Sequence, residues 1–234
     1  MPPSVTRRIQ RDVLTVTTTN AASLAAAGIY YIPDEASLMK GIAMLVGQKD
    51  TPYFGGYYFF SIEFPEDYPF GPVKVKTLTQ DGYTRFNPNM YTDGKVCLSI
   101  LNTWHDGPQW SGVQTLDSVL LVIMSDVLHS NPITNEPAYR DYRADHPDSV
   151  VYNRILWHGN LHTAVCGMMT KPPAFAEYFK ETMDELFKKN YDELLKKAEE
   201  SKVHDGLTET SRIYRMTLKY NFNGAVEKLK LIKS

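Results

Sequence analysis

Hydrophobic residues recur every three or four positions near the start of the chain. This period places side chains on one face of an α-helix, so it predicts an amphipathic first helix. Ser4 stands immediately before the first member of the stripe, and serine is a favoured N-cap residue, so we expect the helix to begin there. The members of the stripe are Val5, Ile9, Val13 and Val16.

Three arginines lie off this stripe, on the polar face of the predicted helix. They are Arg7, Arg8 and Arg11. Charged residues at such positions usually form a solvated face, and a basic docking surface is the sharper alternative. The pattern alone leaves both interpretations open.

Short aromatic and β-branched runs occupy the region between residues 29 and 78. They cover residues 29–32, 39–46, 53–64 and 73–78, and turn-forming residues separate them. Runs of this length predict an antiparallel meander. Three prolines between residues 65 and 72 predict a rigid surface loop before the last strand. Alternate positions of the third run form one hydrophobic face, made of Tyr58, Phe60, Ile62 and Phe64.

A second helical stripe begins near Thr115. Leu121 falls roughly 140° from the centre of this stripe at 100° per residue, so we expect its side chain to be exposed. An exposed leucine is ordinary on a protein surface, and the pattern alone gives it no role. The stripe consists of Leu116, Val119, Leu120, Ile123 and Val127.

Further helices are predicted towards the end of the chain. One spans about residues 152–169, and a longer one spans residues 175–198 and ends near Gly206. The Lys-Pro-Pro sequence at 171–173 interrupts the chain between them, and we expect a domain boundary there. Segment 211–222 is ambiguous, because its alternation fits a strand while the residues after it fit a final helix.

The composition excludes several classes of protein. Lys and Arg number 25 against 27 Asp and Glu, so no basic surface for nucleic acid is expected. Two cysteines in 234 residues do not form a disulfide framework, and they suit a reducing compartment. No apolar run approaches the roughly 18 residues of a membrane span, and the start of the chain lacks a signal core. We therefore expect a soluble intracellular protein with no nucleic-acid or membrane partner.

One segment, residues 85–101, combines turn signals with a thiol. Two turn-forming sequences, at 87–89 and 93–94, precede a short apolar run that is typical of a buried strand. Cys97 therefore lies where a turn enters buried structure. A free cysteine is most often a small core residue, so its position leaves a structural and a functional thiol both open. Cys166 lies in an apolar helical context, and we expect it in the core.

The residue types near Cys97 disfavour a cysteine hydrolase. Such an enzyme pairs its thiol with a histidine base, and none of the six histidines stands in a protease signature. His158 and His162 have the i, i+4 spacing of metal ligands, but no third ligand of fitting spacing accompanies them. We therefore expect two ordinary helix residues and no metal site.

The remaining chemistry for Cys97 is that of a thiol that carries an acyl group as a thioester. Transfer to an amine needs an oriented nucleophile and a group that holds the developing oxyanion. Asn89 could supply that donor, or it could hydrogen-bond the backbone and fix the turn, and the sequence favours neither. Glu136 could orient an incoming lysine, although its position alone favours a solvated loop acid.

Several motifs occur in an order that resembles the ubiquitin-conjugating enzyme family. They are Tyr-Pro-Phe-Gly-Pro-Val-Lys-Val at 68–75, then Asn-Pro-Asn at 87–89 ahead of Cys97, then Trp-Ser at 110–111 before the Leu-rich helix. The match covers about residues 1–170. The chain is most similar to the longer, class Z type, whose features it shares at 102–104, 107–110, 135–137 and 164–169.

The resemblance implies an α+β fold with an N-terminal helix, a four-stranded antiparallel meander and C-terminal helices. It implies a catalytic domain over residues 1–170 and a helical C-terminal extension over residues 171–234, packed on or next to it. In the family, the cysteine that Cys97 matches accepts ubiquitin or a ubiquitin-like protein from an activating enzyme. It then transfers this modifier to a lysine of a substrate protein, with or without a ligase. The implied protein is a monomeric acyltransferase of the cytoplasm or nucleus, and no cofactor is expected because the activating enzyme consumes the ATP.

The resemblance also implies roles for individual residues. Asn89 matches the functional Asn of the family's His-Pro-Asn motif, whereas Asn87 replaces the His, whose main role is to brace the loop. Glu136 matches the acidic position that flanks the thiol. Leu121 and Ser125 match the helix surface that donor ubiquitin contacts.

A further group of residues matches the surface that activating enzymes and ligases contact in the family. The usual Ser-Pro-Ala of one contact loop reads Ser-Gly-Val at 111–113, which is a departure where ring-type ligases dock. The residues of this group are Arg7, Arg8, Arg11, Phe70, Ser111 and Val113.

Two rival functions belong to other classes. A non-catalytic ubiquitin-binding module on the same fold is disfavoured, because the family's inactive variants lack the cysteine that is present at position 97. A thiol hydrolase would cleave a ubiquitin fusion without any activating enzyme.

Overall fold

Four short strands form an antiparallel sheet in which neighbours in sequence are neighbours in space. The computed structural model describes residues 2–233, and it confirms the predicted meander. Hydrogen-bonded partners run from Ile29 opposite Leu45 to Glu63 opposite Lys74. The strands are β1 (Ile29–Pro33), β2 (Lys40–Val46), β3 (Tyr57–Glu63) and β4 (Lys74–Thr77).

Helices precede and follow the sheet, as the α+β class requires. Several of them continue into π-helical turns, at Thr15–Thr19, Ile123–Val127 and Asn160–Gly167. The helices are α1 (Pro3–Leu14), α2 (Ala21–Ala26), α3 (Leu116–Val122), α4 (Pro147–Gly159), α5 (Met168–Thr170), α6 (Ala174–Glu177), α7 (Lys180–Glu200) and α8 (Phe222–Lys233).

The first helix begins two residues earlier than the sequence predicts. Pro2 occupies the N-cap position, and Pro3 is the first helical residue, so the expectation of a Ser4 N-cap is wrong. Proline suits the first helical position because its fixed φ is helical and because the N–H that it lacks would have no partner there. The hydrophobic stripe is correct, since Val5 and Ile9 are buried in the main core.

Both faces of strand β3 are buried, whereas the sequence pattern indicates only one. Tyr58 and Phe60 pack in the main core, and Tyr57 and Phe59 pack in a second cluster on the opposite face of the sheet. Side chains alternate between the faces of a strand, so the second cluster needs its own cover. The C-terminal extension supplies that cover with Phe175, Phe179 and Met183.

The C-terminal extension contains a hairpin as well as helices. Strands β5 (Thr208–Thr210) and β6 (Thr217–Lys219) pair antiparallel, which resolves the ambiguous segment 211–222 as a strand followed by a helix. The long predicted helix is divided, because α7 begins only at Lys180 after the short α6. It ends before Gly206, which has a left-handed φ of 76°. Such a φ favours glycine, since glycine has no Cβ to clash there.

Polar contacts fix the extension to helix α4. The Nε2 atom of His158 accepts a hydrogen bond of 3.0 Å from the backbone N–H of Asn221. The guanidinium of Arg154 forms an ion pair with Glu209, and the hydroxyl of Tyr220 donates to the same carboxylate at 2.7 Å. The extension is therefore held by specific side chains as well as by hydrophobic packing.

The buried imidazole of His158 predicts a loss of stability in mild acid. Burial, with a smaller effect of the neighbouring His162, lowers the pKa of His158 to about 4, against about 6.5 in an unfolded chain. The neutral ring is the form that accepts the bond from Asn221. Its contribution is therefore complete above pH 6.5, and it is lost as the pH falls towards 4.

The unfolding free energy of the wild type should fall when the pH is lowered from 7.5 to 4.5. In a His158→Gln variant we expect this fall to be smaller by about 2 to 3 kcal/mol, because the variant has no imidazole to protonate. Urea unfolding at both pH values measures the difference. His105→Gln is the matched control, because the side chain of His105 is exposed. Equal losses in the wild type and in His158→Gln would contradict the prediction.

Candidate active site around Cys97

Cys97 lies at the end of a tight turn and faces a surface cleft. Its backbone N–H donates to the carbonyl of Asn89 at 2.9 Å, which closes the turn that the sequence predicts. The apolar residues that follow form a single 3₁₀ turn, Ser99–Leu101, so the predicted buried strand is wrong there. Cys97 is only 3% exposed. It lines a cleft of about 450 Å³ together with Tyr91, Lys95, Asn102, Thr103, Trp104, His105 and Gln109.

The side chain of Asn89 braces the thiol segment. Its Nδ2 atom donates to the carbonyl of Cys97 at 2.6 Å, and its backbone N–H donates to the Oδ1 atom of Asn87 at 2.8 Å. Of the two roles that the sequence leaves open for Asn89, this geometry corresponds to the structural one. An amide nitrogen carries two hydrogens, so the same group retains a second donor.

Asn87 is fully buried and joins three segments of the chain. Its Nδ2 atom donates to the carbonyl of Val127 at 2.8 Å, at the end of the helix that continues α3. Its Oδ1 atom accepts from the backbone of Asn89 and, at 3.2 Å, from the amide of Asn135. Asn87 is thus a hydrogen-bonded brace of the loop at the position where the family has His.

Arg85 stacks between two tyrosines beside this loop. Its guanidinium carbon lies 3.8 Å from the ring centre of Tyr91 and 4.1 Å from that of Tyr214. Its Nη2 atom donates to the carbonyl of Pro88 at 2.7 Å. Tyr214 belongs to the hairpin of the C-terminal extension, so a residue far along the chain contributes to the surroundings of the thiol loop.

Glu136 also contacts the extension. It is half-buried between two short 3₁₀ turns, Pro132–Asn135 and Pro137–Tyr139. Its Oε2 atom accepts a hydrogen bond of 2.8 Å from the hydroxyl of Tyr214. Its chain neighbour Asn135 donates to Asn87, so the loop that carries the acid is tied to the loop that carries the thiol. Glu136 is therefore not a solvated loop acid.

A second acid, Asp126, lines a cleft next to that of Cys97. Asp126 borders a cleft of about 230 Å³ that it shares with Asn89 and with Trp104, and Trp104 also lines the cleft of Cys97. The sequence analysis missed Asp126, although it follows Ser125 directly. Two residues that close this cleft are also paired, since Arg140 and Asp106 form an ion pair of 2.6 Å.

The residues expected to contact donor ubiquitin share one exposed face. Leu121 is 44% exposed, as its place off the helical stripe predicts. Ser125 stands four residues later, is exposed, and donates through its hydroxyl to Asp126 at 2.6 Å. Residues spaced by four lie on the same side of a helix, so the two form a continuous surface.

Most residues expected to contact activating enzymes and ligases are accessible. Phe70 and Val113 are 84% and 86% exposed, so both side chains are accessible to a partner. Arg8 differs, because its guanidinium donates to the backbone carbonyls of Gly112 and Gln114 and pairs with Asp12. Arg8 therefore also braces α1 against the 111–114 loop, and its expected role as a contact residue stays a prediction. Arg7, Arg11 and Ser111 are exposed.

The remaining thiol and the histidine pair have structural surroundings. Burial raises the pKa of Cys166 to about 11, so that thiol stays protonated at neutral pH. The rings of His158 and His162 lie 4.3 Å apart, and both bind the backbone of Asn221. Residues 2–233 contain no group of three or more potential metal ligands. Within the same residues, no helix combines the length and the apolar character that crossing a membrane requires.

Comparison with known proteins identifies the family. The family profile described as "Ubiquitin-conjugating enzyme" matches residues 8–157. The ubiquitin-conjugating enzyme E2 Z of Homo sapiens is 42% identical over 169 residues, which are 71% of this chain and 45% of that protein. The E2 Z protein of Danio rerio is 42% identical over 164 residues, which are 69% of this chain and 47% of that protein.

This chain therefore spans about half the length of the curated relatives it matches. A solved E2 domain, from a ubiquitin conjugating enzyme of Toxoplasma gondii, is 21% identical with a TM-score of 0.49, and the match covers 68% of this chain and 97% of that one. The family assignment rests on the profile match, which covers more than half of the chain, and on the identity to the E2 Z proteins. This chain belongs to the ubiquitin-conjugating enzyme family.

Proposed function

We propose that this protein carries ubiquitin or a ubiquitin-like protein as a thioester on Cys97. The thiolate of Cys97 attacks the thioester carbonyl on the activating enzyme, and the cysteine of that enzyme leaves as a thiolate. A lysine amine of a substrate protein then attacks the new thioester, the bond to Cys97 breaks, and the amine loses its proton. The observation that supports this most directly is a free thiol on a braced turn, facing a cleft, in a member of this family.

The partners follow from that chemistry. They are the modifier, an activating enzyme, the substrate proteins and, for some substrates, a ligase. No cofactor of its own is required, because the thioester that Cys97 receives is already activated. We propose the cytoplasm or nucleus as its location, since the free thiols Cys97 and Cys166 suit a reducing compartment. We also propose that it acts as a monomer.

We also propose a division of the chain into a catalytic domain of residues 1–170 and an extension of residues 171–234. The family match ends at residue 157, within helix α4 of the first part. The extension covers the outer face of the sheet and reaches Arg85 and Glu136. We therefore assign it a role in completing the site.

Within the site, Glu136 is the residue that we propose to orient the incoming lysine. A lysine amine is mostly protonated at neutral pH, so a nearby carboxylate attracts and orients it. Asn89 holds the thiol segment through its bond to the carbonyl of Cys97, and its second amide hydrogen is available to a developing oxyanion. Asp126 lines the neighbouring cleft and contributes a second negative charge there.

The surfaces are assigned by exposure as well as by resemblance. We propose that Leu121 and Ser125 contact the donor modifier. Arg7, Arg11, Phe70, Ser111 and Val113 form the surface for the activating enzyme and for ligases. Arg8 supports that surface from beneath, because it binds the carbonyls of the 111–114 loop.

A gel assay with activating enzyme, ATP and labelled ubiquitin tests the thioester directly. We expect an adduct that thiol reductant removes and that Cys97→Ala abolishes. Cys166→Ala is the matched control and should load like the wild type, because Cys166 is buried and distant in sequence from the turn. An adduct that persists in Cys97→Ala would overturn the mechanism, and cleavage of a ubiquitin fusion without activating enzyme would favour a hydrolase.

Leu121→Asp should separate loading from discharge. The substitution places a charge where we expect the donor modifier to pack, so discharge of the loaded enzyme to free lysine should slow roughly tenfold. The rate of loading should remain within about twofold of that of the wild type, because the substitution leaves Cys97 and its turn unchanged. Val203→Asp is the control, since Val203 is 80% exposed in the extension. Equal discharge rates for Leu121→Asp and wild type would remove the proposed contact.

Asn87→Ala tests the brace of the thiol loop. The variant leaves the carbonyl of Val127 and the backbone N–H of Asn89 without their partner, so we expect a loss of about 1–3 kcal/mol in unfolding free energy. Chemical denaturation measures this loss. Asn223→Ala also removes an amide hydrogen bond but at an exposed position, and it should cost far less. A loss no larger than that of the control would show that Asn87 is dispensable for the fold of the loop.

A further inference from the structure

Tyr214 lies in the loop that joins strands β5 and β6. Packing and hydrogen bonds fix the conformation of this loop. Ile213 and Met216, on either side, are buried in the main core. The backbone N–H of Ser211 donates to the carbonyl of Met216 at 2.9 Å, which closes the loop. Tyr214 itself has a left-handed φ of 57° and Arg215 one of 50°.

Such backbone angles are uncommon for residues other than glycine, and they persist only where the surrounding contacts compensate for the strain. Tyr214 makes two side-chain contacts that hold it in this conformation. Its hydroxyl donates to the Oε2 atom of Glu136 at 2.8 Å, and its ring stacks on the guanidinium of Arg85 at 4.1 Å. One side chain of the extension thus contacts the acid loop and the thiol loop at once.

The path from Tyr214 to the thiol loop is short. Arg85 lies between Tyr214 and Tyr91, and it donates to the carbonyl of Pro88, within the Asn-Pro-Asn turn. On the other side, Glu136 follows Asn135, which donates to Asn87 in the same turn. Both contacts of Tyr214 therefore lead to the turn that precedes Cys97.

The hydroxyl of Tyr214 is a donor and not an anion. Burial raises the pKa of Tyr214, and the hydrogen bond to Glu136 raises it further, so the phenol remains protonated across the physiological range. It occupies one oxygen of the Glu136 carboxylate and restricts the rotation of that side chain. A carboxylate has two oxygens, so the second one is left for an incoming ammonium group.

We propose that Tyr214 is a positioning residue for the attack of lysine on the thioester, acting by holding the carboxylate of Glu136 in place. The proposal rests on the thioester carrier function proposed above. It assigns the C-terminal extension a task in the transfer step, since the extension supplies the group that orients the acid.

Single-turnover discharge of the full-length loaded protein tests this role. Tyr214→Phe keeps the ring on Arg85 and removes only the hydroxyl. We expect its discharge to free L-lysine to slow roughly five- to tenfold, with a higher lysine concentration for half-maximal rate, while loading is unchanged. Discharge to hydroxylamine, which is largely uncharged at neutral pH and needs no carboxylate to orient it, should stay at the wild-type rate.

The double variant tests whether Tyr214 acts through Glu136. Glu136→Gln should itself slow the discharge to lysine, and adding Tyr214→Phe to it should slow that discharge no further. Additive effects of the two substitutions would overturn the coupling. A faster discharge in Tyr214→Phe would also overturn the proposal, because it would mean that the hydrogen bond from Tyr214 hinders the attack of lysine instead of assisting it.

Tyr220→Phe is the matched control. Tyr220 is another extension tyrosine whose hydroxyl binds a carboxylate, that of Glu209, and its ring packs against His158 and Phe222. We expect Tyr220→Phe to discharge to lysine at the wild-type rate, with thermal unfolding measured for every variant. A slowing equal to that of Tyr214→Phe would show that general docking of the extension matters, and it would overturn the specific role.

The two proposals can fail separately. If the wild type forms no thioester with any activating enzyme supplied, the proposed function fails. If the wild type loads, and Tyr214→Phe discharges to lysine as fast as wild type or slows equally towards hydroxylamine, the positioning role alone fails.

Discussion

The buried amide of Asn87 is the constraint on which the site depends. It holds the backbone of Asn89, the carbonyl at the end of the helix after α3, and the amide of Asn135. A buried polar group that is fully hydrogen-bonded fixes its neighbours, because each partner would lose a bond that water cannot replace. The thiol turn, the helix that carries Leu121 and the loop that carries Glu136 therefore keep a fixed relation to one another. Asn87 stands at the position where the resemblance leads us to expect His, and its own hydrogen bonds brace the loop.

The C-terminal extension also holds separate parts of the chain in a fixed relation. It covers the outer face of the sheet with aromatic side chains, binds helix α4 through His158 and Arg154, and ends its hairpin loop against Arg85 and Glu136. Hydrophobic cover provides the attachment, and the polar contacts set the position. A segment that lies outside the family match thereby becomes part of the surroundings of the thiol.

Local periodicity accounts for what the sequence predicts well. The four strands, the core stripe of α3 and the exposure of Leu121 each follow from a repeat of two or of 3.6 residues. Contacts between distant segments account for what it misses. The burial of Tyr57 and Phe59 and the internal bonds of Arg8 depend on residues more than a hundred positions later. The position of Tyr214 depends on Arg85 and Glu136, which lie far earlier in the chain. The Ser4 N-cap fails for a local reason, because the preference of proline for the first helical position outweighs that of serine for the cap.

The cover on the outer face of the sheet has a consequence for how this protein tolerates change. Met44, Val46, Tyr57 and Phe59 form a contiguous hydrophobic surface, and residues between 168 and 186 cover it. Without residues 171–234 that surface would meet water, and exposed patches of this kind promote association between molecules. Removal of the extension is therefore expected to increase association between molecules as well as to alter the site. Substitution of the aromatic residues that face the sheet thus carries the cost of a core substitution, whereas the solvent side of these helices tolerates change.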